Sequence, residues 1–207
     1  MKLGVFTLLL GLLLSTGCRN EAAKKEKSKE AATQQQIVHK GESYTVALDP
    51  SWTVEDPKPL NSYADFAASK DEVLFFLIIP QPLPALPDVP APTALDLKRA
   101  SVHVMEQEID KFEVELQGPV NVDGQLGQTV VAHGHVEKDH IKYVTTYFAV
   151  GKNGYQIVAW GPFSRGDELL KEADKILATL KFPNASKEKS KPADADAGSG
   201  ETDASTK

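Results

Sequence analysis

Cysteine occurs once in the 207 residues, at Cys18. One thiol makes no internal disulfide, no all-cysteine zinc cage and no dithiol redox pair. A surplus of positive charge is also missing: 23 Lys and Arg stand against 29 Asp and Glu, a net charge of -6. Binding to nucleic acid by phosphate neutralisation needs the opposite balance, so nucleic acid is not an expected partner. No apolar run reaches the roughly 20 residues that span a bilayer. Neither a Gly-x-Gly-x-x-Gly nor a phosphate loop occurs; the nearest segment, Gly151-Lys152-Asn153-Gly154, is short and reads as a hairpin turn. What is present, 41% hydrophobic and 25% charged residues, is the composition of one ordinary domain with appended ends.

The first of those ends has a directed pattern. Lys2 precedes an uncharged run over residues 3–14, and Ser15, Thr16 and Gly17 are small residues placed directly before Cys18. The run is too short to span and has the form of an export signal. With its cysteine it resembles the bacterial lipoprotein signal, in which residues 1–17 are removed and Cys18 receives the lipid. Ser15 stands where Leu is commonest in that pattern. Each buried methylene contributes about 0.8 kcal/mol and two chains are enough for stable anchoring, so such a chain holds a membrane without a spanning helix. Arg19 follows the cysteine, not the Asp that retains enteric lipoproteins at the inner membrane, which favours the outer membrane in a cell that has two.

Residues 19–36 and 184–207 contain no aromatic and no large aliphatic side chain. Such segments bury too little surface to offset their ordering entropy, so they read as a disordered tether, joined to the lipid at 18, and a disordered tail. Between them lies a domain over 37–183, carrying both tryptophans, all five histidines, 13 basic and 21 acidic residues.

Inside the domain the periodicity alternates between 2 and 3.6 residues. Tyr44, Val46 and Leu48 alternate as a strand. Residues 63–68 and 73–79 read as two strands joined by a turn over 69–72, the second apolar on both faces and therefore expected in the middle of a covered sheet. Six prolines within residues 80–92 predict an extended stretch outside the hydrogen-bonded ladder. Thr93 and Asp96 form a capping pair for a helix over 94–111, with Val102, Met105, Ile109 and Phe112 on its apolar side. Strands are expected over 112–116, 126–137, 140–150 and 155–161, with a turn at Asp123-Gly124. Ser164 and Asp167 are expected to cap a last helix that buries Leu169, Ala173, Ile176, Leu177 and Leu180. Two helices and about seven strands result.

Several local patterns in this order carry a resemblance: Tyr44-Thr-Val-Ala-Leu48-Asp-Pro50-Ser-Trp52, Val122-Asp123-Gly124-Gln-Leu-Gly127, the strand from Tyr143 to Val150, Gly154-Tyr155-Gln-Ile-Val158 and Ile176-Leu177-Ala-Thr-Leu180-Lys-Phe182. Together they resemble the PsbP-like and Mog1-like domains, including bacterial lipoproteins of the DcrB/PsbP-like group, over most of 37–183. The proline-rich insert departs from that pattern. The resemblance implies an α+β fold, an antiparallel sheet of six to seven strands with helices on both faces, and binding or assembly roles in place of catalysis.

Catalytic residues are not assigned. Gly161-Pro-Phe-Ser164-Arg-Gly166 has one residue too many before the serine to be a nucleophile elbow. The chemistry-bearing cluster is His133, His135 and His140: residues two apart on a strand share a face, and a hairpin returning His140 offers a third ligand for a divalent metal such as zinc or copper. The alternative for the same residues is the polar face of a strand whose other face, Val130, Ala132, Gly134 and Val136, is apolar. Glu106, Glu108, Asp110, Glu113 and Glu115 crowd the end of the first helix as a solvated face or a landing point for a cation. Leu83, Leu86 and Val89, three apart within the prolines, match the period of a polyproline helix and are candidate partner anchors. The expected function is a monomeric, membrane-anchored envelope lipoprotein that binds or steadies other envelope proteins without catalysis. It carries no cofactor beyond the lipid on Cys18. The alternative is a metal or small-ligand binder using the histidines.

Overall fold

The computed structural model describes residues 37–183 except 86 and 88. Cys18, the tether and the tail lie outside the described residues, as does Leu86. Nine strands and two α-helices are found among the described residues. Seven strands form one antiparallel sheet in the order β3 (Thr53–Glu55), β4 (Phe66–Lys70), β5 (Leu74–Pro82), β9 (Asn153–Pro162), β8 (Asp139–Val150), β7 (Gln125–Val136) and β6 (Asp110–Val122). A separate hairpin, not expected from sequence, pairs β1 (Ile37–Lys40) with β2 (Thr45–Leu48).

Alternation along the strands decides which helix covers which face. On β7, Val130 and Ala132 pack with Leu97 and Val102 of α1 (Ala94–Glu108), while Val131 belongs to the core under α2 (Gly166–Thr179). Helices therefore lie on both faces, and the α+β sandwich is as expected. The α2 side is the deeper core: Leu169, Ala173 and Ile176 of α2 meet Phe76, Ile78, Val144 and Ile157, with Tyr44, Val46 and Leu48 of the small hairpin closing it. Each Val, Leu, Ile or Phe side chain among them contributes about 1.5 to 3 kcal/mol by burial. Thr45 and Lys181 exchange both backbone hydrogen bonds at 2.9 Å, which fastens the hairpin to the end of α2.

The α1 side is shallower, and connectivity explains why. β5 and β6 are four places apart in the sheet, so the chain between them must cross a whole face, about 19 Å at sheet spacing. The 15 residues of α1, about 22 Å long, make that crossing over β8 and β7 and deliver the chain to the edge. Only Ala94 of the helix is fully buried. Gly134 permits the close approach at its far end, since a Cβ there would stand 2.4 Å from Ile109 Cγ2.

Three expectations are corrected. The strand over 73–79 continues to Pro82, into the proline stretch, and pairs with β9 as far as Pro82 with Asn153. This is allowed because Ile78, Pro80 and Pro82 turn their backbone groups away from β9, towards β4, whose pairing ends at Ile78. The missing N–H groups thus face no partner strand, while Leu83 N–H still donates to Lys152 O at 2.8 Å. The helix over 94–111 stops at Glu108, with Ile109 as its cap residue, and β6 runs for 13 residues from Asp110. Ser164 makes no capping hydrogen bond: a 3-10 turn, Phe163–Arg165, leads directly into α2, and Arg165 instead binds the Glu168 carboxylate. The Thr93 and Asp96 capping box is present as expected. Asp123 and Gly124, at φ of 52° and 73°, make the tight turn between β6 and β7.

Candidate functional site

The crossing by α1 leaves β5 and β9 without a helix above them. Their side chains on that face, Leu77 and Ile79 from β5 and Val158 and Trp160 from β9, floor a cleft walled by α1 and by Leu60 and Asn61 of the loop between β3 and β4. Its volume is about 170 Å³ and its walls are mostly apolar. Phe75 stacks on Trp160 at 5.2 Å beside this floor.

Polar atoms enter from β8 and β9. Tyr143, Thr145 and Tyr147 alternate along β8 and all three line the cleft, as does Gln156. Tyr147 donates to Ser101 Oγ at 2.8 Å, and Gln156 Nε2 donates to the same oxygen at 3.2 Å. Thr145 is 1% exposed, and its hydroxyl lies beside the Tyr147 phenol, to which it hydrogen-bonds. Burial pushes the Tyr143 and Tyr147 phenols up to about 12, with hydrogen bonding opposing this in Tyr147, so both are neutral at physiological pH. Among the lining residues Glu108 is the one carboxylate, and no Lys, Arg or His contributes. Sequence reasoning missed this site. Its legible trace was the spacing of Tyr143, Thr145 and Tyr147, which puts hydroxyl-bearing side chains on a face that is otherwise apolar.

The histidines are brought together on the opposite face, near the end of the sheet. His135 faces His140 across β7 and β8, their rings stacked at 4.6 Å, and Phe163 stacks on His140 at 4.0 Å. His133 stands edge-on, its Nδ1 3.0 Å from His140 Nε2. Glu113 and Glu115 lie 3.6 and 3.8 Å from His133 Nε2, and Lys142 binds Glu115 at 2.7 Å. Desolvation, then His135 and His133, hold the His140 imidazole below its ordinary value, while Glu113 and Glu115 pull the other way. Parallel rings aim their in-plane lone pairs along separate planes, and the His133 and His140 nitrogens lie within hydrogen-bond distance of each other. Among the described residues no three His, Cys, Asp or Glu side chains stand where they could hold a metal ion. Of the acidic run, Glu115 is paired with Lys142, and Glu113 lies beside the His133 ring.

The proposed anchors separate. Leu83 is half-buried, close to Leu97 beside Gly154, whereas Val89 is 56% exposed. Ser164 is exposed and makes no side-chain hydrogen bond among the described residues. A second, more open depression of about 320 Å³ lies between β2 and α2; in its wall Glu172 accepts from Lys175 at 2.7 Å and from Trp52 Nε1 at 3.2 Å, and lies 3.3 Å from Lys70.

No protein-family model matches the chain, and no curated protein matches it. Solved structures do. Cyanobacterial PsbP (CyanoP) from Synechocystis sp. PCC 6803 superposes with a TM-score of 0.55 at 14% identity, covering 76% of this chain and 98% of that one. LpqN, involved in cell envelope biogenesis of Mycobacterium tuberculosis, gives a TM-score of 0.54 at 10% identity, covering 73% and 92%. The fold over the described residues is the PsbP-like one.

Proposed function

We propose that this PsbP-like fold serves as a non-enzymatic binding module, tethered to the cell envelope by lipid on Cys18, that takes its ligand in the cleft beneath α1. The observation that carries the reading is the cleft itself. It is a concave, mostly apolar site with a few convergent polar groups, formed where the fold leaves part of a sheet face uncovered. The described residues near it offer no nucleophile activated by a base. The address is supported by the order of charge, apolar run and small residues before Cys18, and by the fold shared with LpqN, whose context is the envelope. Arg19 supports the outer membrane where a cell has two. Partners among other envelope proteins follow from this location.

Two arms test the reading. Cys18→Ser should leave an unprocessed precursor that takes up no palmitate analogue, and labelling that persists contradicts the anchor. For the cleft, toluene should raise the unfolding temperature of the full chain in lipid nanodiscs, because a ligand that binds only the folded state stabilises it. Ala100→Trp, on an exposed position of α1 at the mouth, should abolish that rise.

A further inference from the structure

We infer that His133 and His140 form a two-nitrogen chelate for a divalent transition-metal ion, copper(II) in preference to zinc, on the sheet face opposite the cleft. The site stands independently of the cleft and of any ligand held there.

Distance comes first. His133 Nδ1 and His140 Nε2 are 3.0 Å apart. Two imidazole nitrogens each about 2.0 to 2.1 Å from one ion are about 2.9 Å apart when they subtend a right angle, and about 3.4 Å apart at the tetrahedral angle. The observed spacing therefore fits neighbouring corners of a tetragonal copper(II) site better than the tetrahedral site of zinc. The χ2 torsion of histidine is broad, so the rings can turn both lone pairs from the hydrogen bond onto a shared ion.

The second observation lies on the far side of the His133 ring. Its Nε2 is 3.6 Å from Glu113 and 3.8 Å from Glu115. Carboxylates placed there draw the ring proton to Nε2 and leave the Nδ1 lone pair facing His140, which is how metal-bound histidines are oriented by their outer partners. Neutral His140 then carries its own proton on Nδ1 and presents Nε2 to the ion. Two carboxylates against the single ammonium of Lys142 leave the immediate surroundings favourable to a cation. The ring of His140 is held in place between His135 and Phe163, at 4.6 and 4.0 Å. His135, parallel to His140, does not aim a nitrogen into the gap, so the chain supplies two ligands and water completes the site. Imidazole donors select copper or zinc over magnesium and calcium, which take oxygen.

The test titrates copper(II) into the full chain in phosphatidylcholine nanodiscs, subtracts empty nanodiscs and reads electron paramagnetic resonance with spin-echo modulation. The unsubstituted chain should show two coupled imidazoles. His133→Gln, and His140→Phe, which keeps a ring in the stack, should each remove that signature and lower affinity by about a hundredfold, the low end of what a second linked contact adds. Glu113→Gln should weaken binding by about tenfold through the lost outer partner, and an unchanged affinity overturns the role given to that carboxylate. His103→Gln, on the exposed side of α1, should change neither signature nor affinity. Zinc that binds more tightly than copper overturns the metal preference. A single-imidazole signature in the unsubstituted chain, or a paired one that survives His133→Gln or His140→Phe, leaves a hydrogen-bonded histidine pair only and overturns the site.

Discussion

Glu172 shows how one side chain holds two layers together. It is buried on α2, where desolvation alone would raise its pKa, yet hydrogen bonds from Lys175, Trp52 and Lys70 outweigh that and hold the carboxyl below its ordinary value. A folded value below the unfolded one means that the unfolded chain binds the proton more readily. The stabilisation is therefore complete above the unfolded glutamate value of about 4.3 and is lost as pH falls through the lower folded value. Glu172→Gln should cost about 1 to 3 kcal/mol at neutral pH, because it leaves Lys70 without its closest partner. It should also flatten the loss of stability in acid. Urea unfolding midpoints between pH 3 and 7 check both, and an acid slope identical in the two proteins would mean that Glu172 binds its proton equally well folded and unfolded.

Among the elements, the proline-bearing segment is the one whose role is divided. Pro80 and Pro82 belong to the ladder because β4 has already ended beside them, and Leu83 continues the hydrogen bonding to Lys152. Its side chain then approaches Leu97 and helps to seat the start of α1. Leu83→Ser should lower stability by about 1 kcal/mol, part of the cost of a fully buried leucine, while Val89→Ser should leave it unchanged. Thermal unfolding of the two variants measures this, and an unchanged midpoint for Leu83→Ser would free that side chain for a partner. The sequence alone located this segment but not its register. Proline's missing N–H matters only on the side where a partner strand runs, and strand order is a property of the whole sheet. For the same reason β5 was recognisable as a central strand from its two apolar faces, and α2 from Leu169, Ala173, Ile176 and Leu177. The β1 and β2 hairpin was only half visible: Gly41 and Ser43 are turn residues, but the four residues of β1 are too few to show a period.

At the scale of the molecule, the crossing from β5 to the far edge explains both the thin cover of one face and the position of the cleft. The residues of the cleft come from five separated segments, which is why no local motif announced it. The histidines, by contrast, were conspicuous in sequence and did converge, in a stack under Phe163. Sequence spacing places side chains on a common face, whereas the direction of their lone pairs depends on rotamers that spacing does not set. The central claim, that this fold binds through the face α1 leaves open, is tested most directly by methyl NMR of the full chain in nanodiscs during titration with toluene. The account predicts saturable shifts at Leu77, Ile79, Met105 and Ile109 around the cleft, with the methyl groups of the α2 core unmoved. Shifts that never saturate, or that fall on the α2 face and not on these residues, would contradict it.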